Sequence, residues 1–218
     1  MKNINHENIL RFYDSLKQNN NLFLIIEYCN DNLRNYILSD VKYYNHKYII
    51  EIMEGLLYLN SINIIHRDIK PENILIHNNT IKISDFGLSK IFSEAQMFNT
   101  ICGSPLYMAP EIEYTSNYNN NSDIWSLGVV LYELVCKKHP YYCQSKEELN
   151  QKSNNKQYNI NFDIIPSIYK FYISNMLVID TSNRLNWDSL NSIICNLKDK
   201  CTINTDTIYI SSILPKKI

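Results

Sequence analysis

From Ile124 to Cys136 the chain reads Ile-Trp-Ser-Leu-Gly-Val-Val-Leu-Tyr-Glu-Leu-Val-Cys. Wound as a helix, its residues Ile124, Trp125, Leu127, Val129, Val130, Leu131 and Leu134 cover nearly every direction around the axis, and Asp123 stands where a side chain can cap the first turn. A helix that is apolar all round has no face to give to water, so it belongs at the centre of a mostly helical body. It is not a membrane span, because Ser126, Tyr132 and Glu133 interrupt it and it falls short of the ~20 residues a bilayer requires. With 218 residues, 45% of them hydrophobic, the chain can bury a core of single-domain size around this segment.

Charge excludes one broad class of partner. The 21 Lys and Arg nearly cancel the 22 Asp and Glu, leaving a net charge of -1 and no global electrostatic case for nucleic acid. Met1 is followed by Lys2, Asn3, Asn5, His6 and Glu7 without an apolar stretch, so no secretory signal is read and a cytoplasmic location is expected, with the nucleus as the alternative. No membrane partner is expected either. Six Cys, at positions 29, 102, 136, 143, 195 and 201, form no C-x-x-C pair and no metal-like cluster with the five His, and are expected to be small buried apolar residues without disulfides or zinc. Only four glycines are present, Gly55, Gly87, Gly103 and Gly128, too far apart to build a glycine-rich phosphate loop.

Periodicity places the remaining elements. Leu22 to Tyr28 (LFLIIEY) is a continuous apolar run between polar flanks and reads as a buried strand, with Ile9 to Ser15 as its partner across the Asn turn at 19 to 21. From Val41 to Asn60, Ile49, Ile52, Met53, Leu56 and Leu57 share one helical face. Ile74 to Ile76 and Ile81 to Ile83 alternate around the turn-forming residues His77, Asn78, Asn79 and Thr80, a hairpin. Ile168 to Ile179 and Trp187 to Leu197 read as amphipathic helices, and the pattern fades after Lys198.

The densest chemistry lies in His66-Arg67-Asp68-Ile69-Lys70-Pro71-Glu72-Asn73. Asp85-Phe86-Gly87 begins twelve positions after Asn73, and Ala109-Pro110-Glu111, Asp123-Ile124-Trp125-Ser126-Leu127-Gly128 and Arg184 follow in order. This ordered set resembles the eukaryotic protein kinase family over roughly residues 4 to 197. Lys70, with Gly103-Ser104-Pro105 ahead of Ala109, resembles its serine/threonine branch, and the run from Cys102 to Glu111 is similar to the autophagy-initiating kinases. The resemblance implies an α+β, protein kinase-like fold: a mostly helical large lobe with a truncated small-lobe β-sheet. Its divisions would be 1-29 for the remnant of the small lobe and hinge, 30-198 for the large lobe, and 199-218 for a C-terminal tail.

The resemblance also implies roles for individual residues. Asp68 would orient the acceptor hydroxyl or accept its proton, Lys70 would contact the transferring phosphate, and Asn73 and Asp85 would hold Mg2+. These residue types suit a reaction that needs an in-line acceptor and neutralisation of charge spread over phosphate oxygens. The hairpin between Asn73 and Asp85 can return both metal ligands to one mouth, with Leu75 beneath the adenine of ATP. Backbone groups of Glu27 and Cys29 would hold the adenine edge, with Ile26 behind. Thr100, nine residues before Ala109, is the expected activating phosphosite, with Arg67 as the basic group able to receive its phosphate. Ser104 would position substrate, Asp123 would be structural, and Glu111 and Arg184 would form a buried ion pair.

This sequence also departs from the family. Asn5-His6-Glu7-Asn8-Ile9 resembles the turn that follows the small lobe's large helix, so the glycine-rich loop, the phosphate-anchoring lysine and its glutamate partner have no counterparts; Lys2 does not qualify. Cys29-Asn30-Asp31-Asn32-Leu33 lacks the glycines usual at the hinge exit. Two functions are therefore expected to compete. One is a serine/threonine protein kinase moving the γ-phosphate of ATP to protein hydroxyls. The other is an inactive, pseudokinase-like protein-binding module, with a partner covering the truncated small lobe.

Overall fold

The computed structural model describes residues 4–19, 21–40, 45–85, 104–115, 120–141, 148 and 159–201. At its centre is a helix, α4 (Asn120–Cys136), in which every residue from Ser122 to Val135 is buried. The all-round apolar pattern thus lies in the middle of a mostly helical body, and the α+β arrangement expected from the sequence is the one observed. Burial of each large side chain here stabilises the fold by about 1.5–3 kcal/mol. Asp123 does not cap this helix, which begins three residues earlier; it sits in the first turn and spends its carboxylate on another segment, described below.

Two further helices define how the body closes on α4. The helix numbered α1 (Leu33–Leu38) starts at Asn32, whose side-chain oxygen accepts from the Asn35 amide. The longer α2 (His46–Ser61) starts at Asn45, whose side chain accepts from the Lys47 amide, and buries Ile49, Ile52, Met53, Leu56 and Leu59. Its start is four residues into the stretch expected to be helical, of which 41–44 lie outside the described residues. A short helix, α3 (Pro110–Thr115), leads towards α4, and α5 (Ser167–Met176) packs across α4. The contact is close because Gly128 has no side chain: a Cβ there would lie 2.8 Å from Met176 Cβ and 3.0 Å from a Leu177 methyl. The last helix, α6 (Trp187–Cys201), packs on α2.

Two small sheets complete the fold. In one, β3 (Asp31–Asn32) pairs antiparallel with β4 (Ile74–His77), which pairs antiparallel with β5 (Thr80–Ile83) in the register Ile74–Ile83 to His77–Thr80. The tip residues Asn78 and Asn79 both take positive φ, 47° and 61°, which asparagine tolerates in tight turns. This hairpin packs on α2, and Glu51 of α2 accepts the Ile81 amide at 2.9 Å. Ile9 bridges in parallel to Ile83, tying the amino-terminal lead to β5.

The other sheet is a bare hairpin of β1 (Phe12–Gln18) and β2 (Asn21–Ile26). Here the sequence expectation fails: Leu22, Phe23, Leu24, Ile25 and Ile26 are not buried but 42–66% exposed. The strand exists, but from Tyr13 to Gln18 and from Asn21 to Ile26 every residue of this two-stranded sheet is exposed. The pairing also runs three residues later than expected, with Phe12 opposite Ile26 and Gln18 opposite Asn21. Of the cysteines expected to be buried, Cys29 and Cys136 are half-buried and Cys195 is exposed; all three are free thiols. Burial pushes the Cys136 thiol up to about 12 and also raises Cys29.

Candidate active site

The segment from Ile64 to Lys70 connects α2 to a single turn of 3-10 helix, Pro71–Asn73, that runs directly into β4. A connection of this kind must satisfy its own backbone amides, and Asp123 does so from the first turn of α4. Its two carboxylate oxygens accept from the His66 amide at 2.7 Å and the Arg67 amide at 3.0 Å. Between them the backbone turns through a positive φ of 71° at Arg67, a conformation that a non-glycine residue adopts only where its surroundings hold it. Burial pushes the Asp123 carboxyl up to about 6, and the two amide bonds pull the other way.

His66 fixes the same segment from inside. Its Nδ1 accepts from the Asp68 amide at 3.2 Å, and its Nε2 lies 2.9 Å from the Ser84 carbonyl, a pattern that requires the proton on Nε2. Burial lowers the imidazole to about 4, so it stays neutral near pH 7. His66 therefore positions Asp68 and clamps the segment from Ile64 to Lys70 to the end of β5.

Asp68, Lys70 and Asn73 meet at the mouth. Lys70 Nζ donates to Asp68 Oδ2 at 2.7 Å, and Asn73 Nδ2 donates both to that oxygen and to the Asp68 carbonyl, each at 2.8 Å. Asn73 is buried whereas Asp68 and Lys70 are half-buried, so a rigid amide orients a carboxylate that solvent and a substrate can reach. Ser84 links the second ligand candidate to the first. Its amide and hydroxyl donate to the Asn73 carbonyl at 2.9 and 3.0 Å, and its hydroxyl lies 3.2 Å from Asp85 Oδ2. Asp85 is exposed and turns through φ 61°. One amide oxygen and one carboxylate form a donor set of hard oxygens, which suits Mg2+ shared with substrate phosphates and water.

Of the residues expected at the adenine, Leu75 lies on β4, and Glu27 and Cys29 lie in the segment that follows β2. Glu27 forms an ion pair with Lys82 at 2.9 Å and accepts the Arg11 amide at 3.1 Å, while its own amide donates to the Arg11 carbonyl at 2.8 Å. Lys82 stands opposite Leu75 in the β4–β5 register, so the strand that carries Leu75 is tied to the segment that carries Glu27 and Cys29. Ser104 begins a 3-10 turn, Ser104–Tyr107, but its side chain, Phe86, Gly87 and Thr100 lie outside the described residues.

Glu111 and Arg184 are brought together. Arg184 is fully buried, and donates from Nη1 and Nη2 to the two Glu111 oxygens at 2.7 and 2.9 Å. Its Nε donates to the Val178 carbonyl and Nη1 also to that of Asn121, so the fork is well supplied with acceptors. Burial works to raise the Glu111 carboxyl, but the bonds from Arg184 outweigh it and hold the group below its ordinary value.

A second polar cluster escaped the sequence reading. Arg34 of α1 reaches Glu72 at 2.8 Å and Glu133 at 2.6 Å and donates to the Tyr107 hydroxyl, which itself donates to Glu133 at 2.6 Å. Ser126 donates to the Tyr107 carbonyl at 2.7 Å. The segment before Ala109 is thereby pinned to α4 and, through Glu72, to the 3-10 turn Pro71–Asn73. The signal available was Glu133 itself, a carboxylate inside an otherwise apolar helix, which must find a partner when buried. Ser84 gave no comparable signal.

The chain is similar to known proteins over most of its length. A family model described as the protein kinase domain matches residues 1–193. The chain is 36% identical over 222 residues to the serine/threonine-protein kinase R517/R518 of Acanthamoeba polyphaga mimivirus, covering 87% of this chain and 49% of that protein. It is 33% identical over 199 residues to serine/threonine-protein kinase atg1 of Dictyostelium discoideum, covering 86% and 30%. Identity to the human serine/threonine-protein kinase ULK1 is 33% over 170 residues, covering 68% and 16%. The chain thus spans about half the length of the mimivirus relative and less of the other two.

Proposed function

Because this chain belongs to the protein kinase family, we propose that it is a serine/threonine kinase that moves the γ-phosphoryl group of ATP to hydroxyls of protein substrates. The observation that carries this reading is the mutual bonding of Asp68, Lys70 and Asn73 on a segment held by His66 and Asp123. The acceptor oxygen forms a bond to the γ-phosphorus as the bond to the bridging β–γ oxygen breaks. The hydroxyl proton passes to Asp68, and Lys70 faces the transferring oxygens. Asn73 and Asp85 would hold Mg2+, which neutralises charge on the phosphate oxygens. Glu27, Cys29 and Leu75 would border the adenine. Phosphate on Thr100 would meet Arg67, whose side chain is exposed, and Ser104 would help to position substrate.

The alternative is a protein-binding module without turnover, and the glycine count favours it. Four scattered glycines build no phosphate-clamping loop within these 218 residues, and a catalyst that works by positioning loses most when the donor's tail can move. Slow transfer is therefore expected from this chain by itself. No helix of the described residues is long and apolar enough to cross a membrane; a cytoplasmic setting with protein partners is the reading we adopt. The test is transfer of labelled γ-phosphate to a protein mixture, with Asp68→Asn as the blank. Label on serine or threonine above that blank supports the kinase, and ATP binding with no Asp68-dependent transfer supports the module.

A further inference from the structure

Every residue of β2 is exposed, yet the charged residue that follows it is not. Glu27 pairs with Lys82 of β5 at 2.9 Å, and each side chain is only 15% exposed. Both carboxylate oxygens of Glu27 are engaged, Oε1 with Lys82 Nζ and Oε2 with the Arg11 amide. The side chain is thus committed to the fold, and recognition of a base falls to the backbone beside it.

The pleat of β5 aims Lys82 at this task. Burial alternates along β4 and β5, so Ile74, Ile76, Ile81 and Ile83 face the core, while Leu75 and Lys82, directly opposite each other, share the outer face. A lysine on such a face ordinarily keeps its ammonium in water. Here the ammonium is turned onto Glu27 instead. The Cys29 thiol lies close enough to feel both charges: burial raises it most, Glu27 adds to the rise and Lys82 opposes it. Lys82 is therefore beside Leu75, bonded to Glu27 and within electrostatic reach of Cys29, the three residues expected at the adenine.

The same strand runs on to the metal-ligand candidates. Ile83 is fixed by the amino-terminal lead, accepting from the Leu10 amide and donating to the Asn8 carbonyl, each at 2.9 Å. Ser84 then donates to the Asn73 carbonyl and lies 3.2 Å from Asp85 Oδ2. From Lys82 to Asp85 the chain spans at most ~10 Å, and each residue between them is held by a bond to another segment. One short, fixed stretch thus carries both the tether to Glu27 and the Asp85 carboxylate.

We propose that Lys82 is a positioning residue for the nucleotide base: its ion pair with Glu27 fixes the adenine-binding backbone relative to Asn73 and Asp85, so that base and phosphates are held at one spacing. This rests on the reading of the site as one that binds ATP with Mg2+. Calorimetric titration of the 218-residue chain with ATP and with tripolyphosphate, both in excess Mg2+, separates the base from the phosphates. The parent chain should bind ATP at least tenfold more tightly than tripolyphosphate. Lys82→Met should reduce that ratio fivefold or more while tripolyphosphate affinity stays within twofold, and Lys82→Arg should keep the ratio within twofold of the parent. Glu27→Gln, which keeps an acceptor for the Arg11 amide, should match Lys82→Met, and the double variant should lose no more than either alone. If Lys82→Met does not fold, Glu27→Gln decides. Equal weakening of both ligands would give the pair a merely structural role and overturn the proposal. An unchanged ratio in the folded variant would overturn the role of Lys82 and leave the ATP reading standing, whereas a parent chain that binds ATP no better than tripolyphosphate would overturn both.

Discussion

Arg184 sets two guanidinium nitrogens against both oxygens of Glu111, at 2.7 and 2.9 Å, across 73 residues of sequence. The pair joins the start of α3 to the turn before α6, and the Arg184 side chain has no exposure to water. Removing either partner leaves a buried charge without compensation, a loss of roughly 3–5 kcal/mol. Glu111→Ala and Arg184→Ala should each show that loss in urea melts, and the double variant should lose clearly less than the sum. Additive losses would remove the coupling.

This pair shows what one sequence can disclose. Only the family resemblance implies a pairing of Glu111 with Arg184, since no periodicity links positions so far apart. The central helix, by contrast, is legible from composition alone, because a segment apolar in every direction has one place to go. The hairpin at 74–83 is legible for a similar local reason, alternation around an Asn-Asn tip. Exposure of Leu22 to Ile26 is not legible in the apolar run itself, which specifies what a strand would bury; only the resemblance, which reduces the small-lobe sheet to two strands, implies exposed apolar surface there. The position of Asp123 fits a helix cap; its two bonds to the His66 and Arg67 amides are tertiary and leave no local mark in the sequence.

Those two bonds lead to a second prediction. Asp123→Ala should strand the His66 and Arg67 amides without acceptors, costing about 1–3 kcal/mol apiece where they stay buried. With nothing to hold the positive φ at Arg67, Asp68 should shift. A displacement of ~1 Å is enough to reduce positioned catalysis roughly 100-fold. Thermal melts and Asp68-dependent phosphate transfer measured on the same preparation check both effects; unchanged transfer would show that Asp123 does not position the segment.

Acid stability should separate two opposing groups. His66 and His139, both lowered to about 4 by burial, stay neutral in the fold while the unfolded chain takes protons near 6.5. Their contribution is present above pH 6.5 and is lost as pH falls towards 4. Asp123, raised to about 6 from 3.8, acts in the reverse sense: the fold takes its proton first, so stability is gained as pH falls from about 6 to about 4. Asp123→Asn removes this opposing contribution. Its stability should therefore fall more steeply than that of the parent between pH 6 and pH 4, by up to about 1.4 kcal/mol per pH unit. Parallel pH profiles in chemical denaturation would contradict the assignment.

Gly128 offers a packing test far from the mouth. A methyl there would press on Met176 Cβ at 2.8 Å and on Leu177, both in the core between α4 and α5. Gly128→Ala should destabilise by about 1–3 kcal/mol despite its better helix propensity. A stabilised variant in thermal melts would mean that the two helices can separate freely.

The proposed reaction divides the labour between Asp68 and Asp85. In the proposed reaction Asp68, bonded by Lys70 and Asn73, would serve the acceptor, whereas exposed Asp85, linked to Asn73 through Ser84, would complete the oxygen set for Mg2+. Calorimetric titration of ATP, with and without Mg2+, into the parent chain, Asp68→Asn and Asp85→Asn tests this division most directly. The expected result is Mg2+-dependent binding kept within about threefold by Asp68→Asn and weakened roughly tenfold or more by Asp85→Asn, as loss of a charged metal ligand worth at least 1.4 kcal/mol requires. Equal weakening in the two variants, or binding indifferent to Mg2+ in the parent chain, would contradict it.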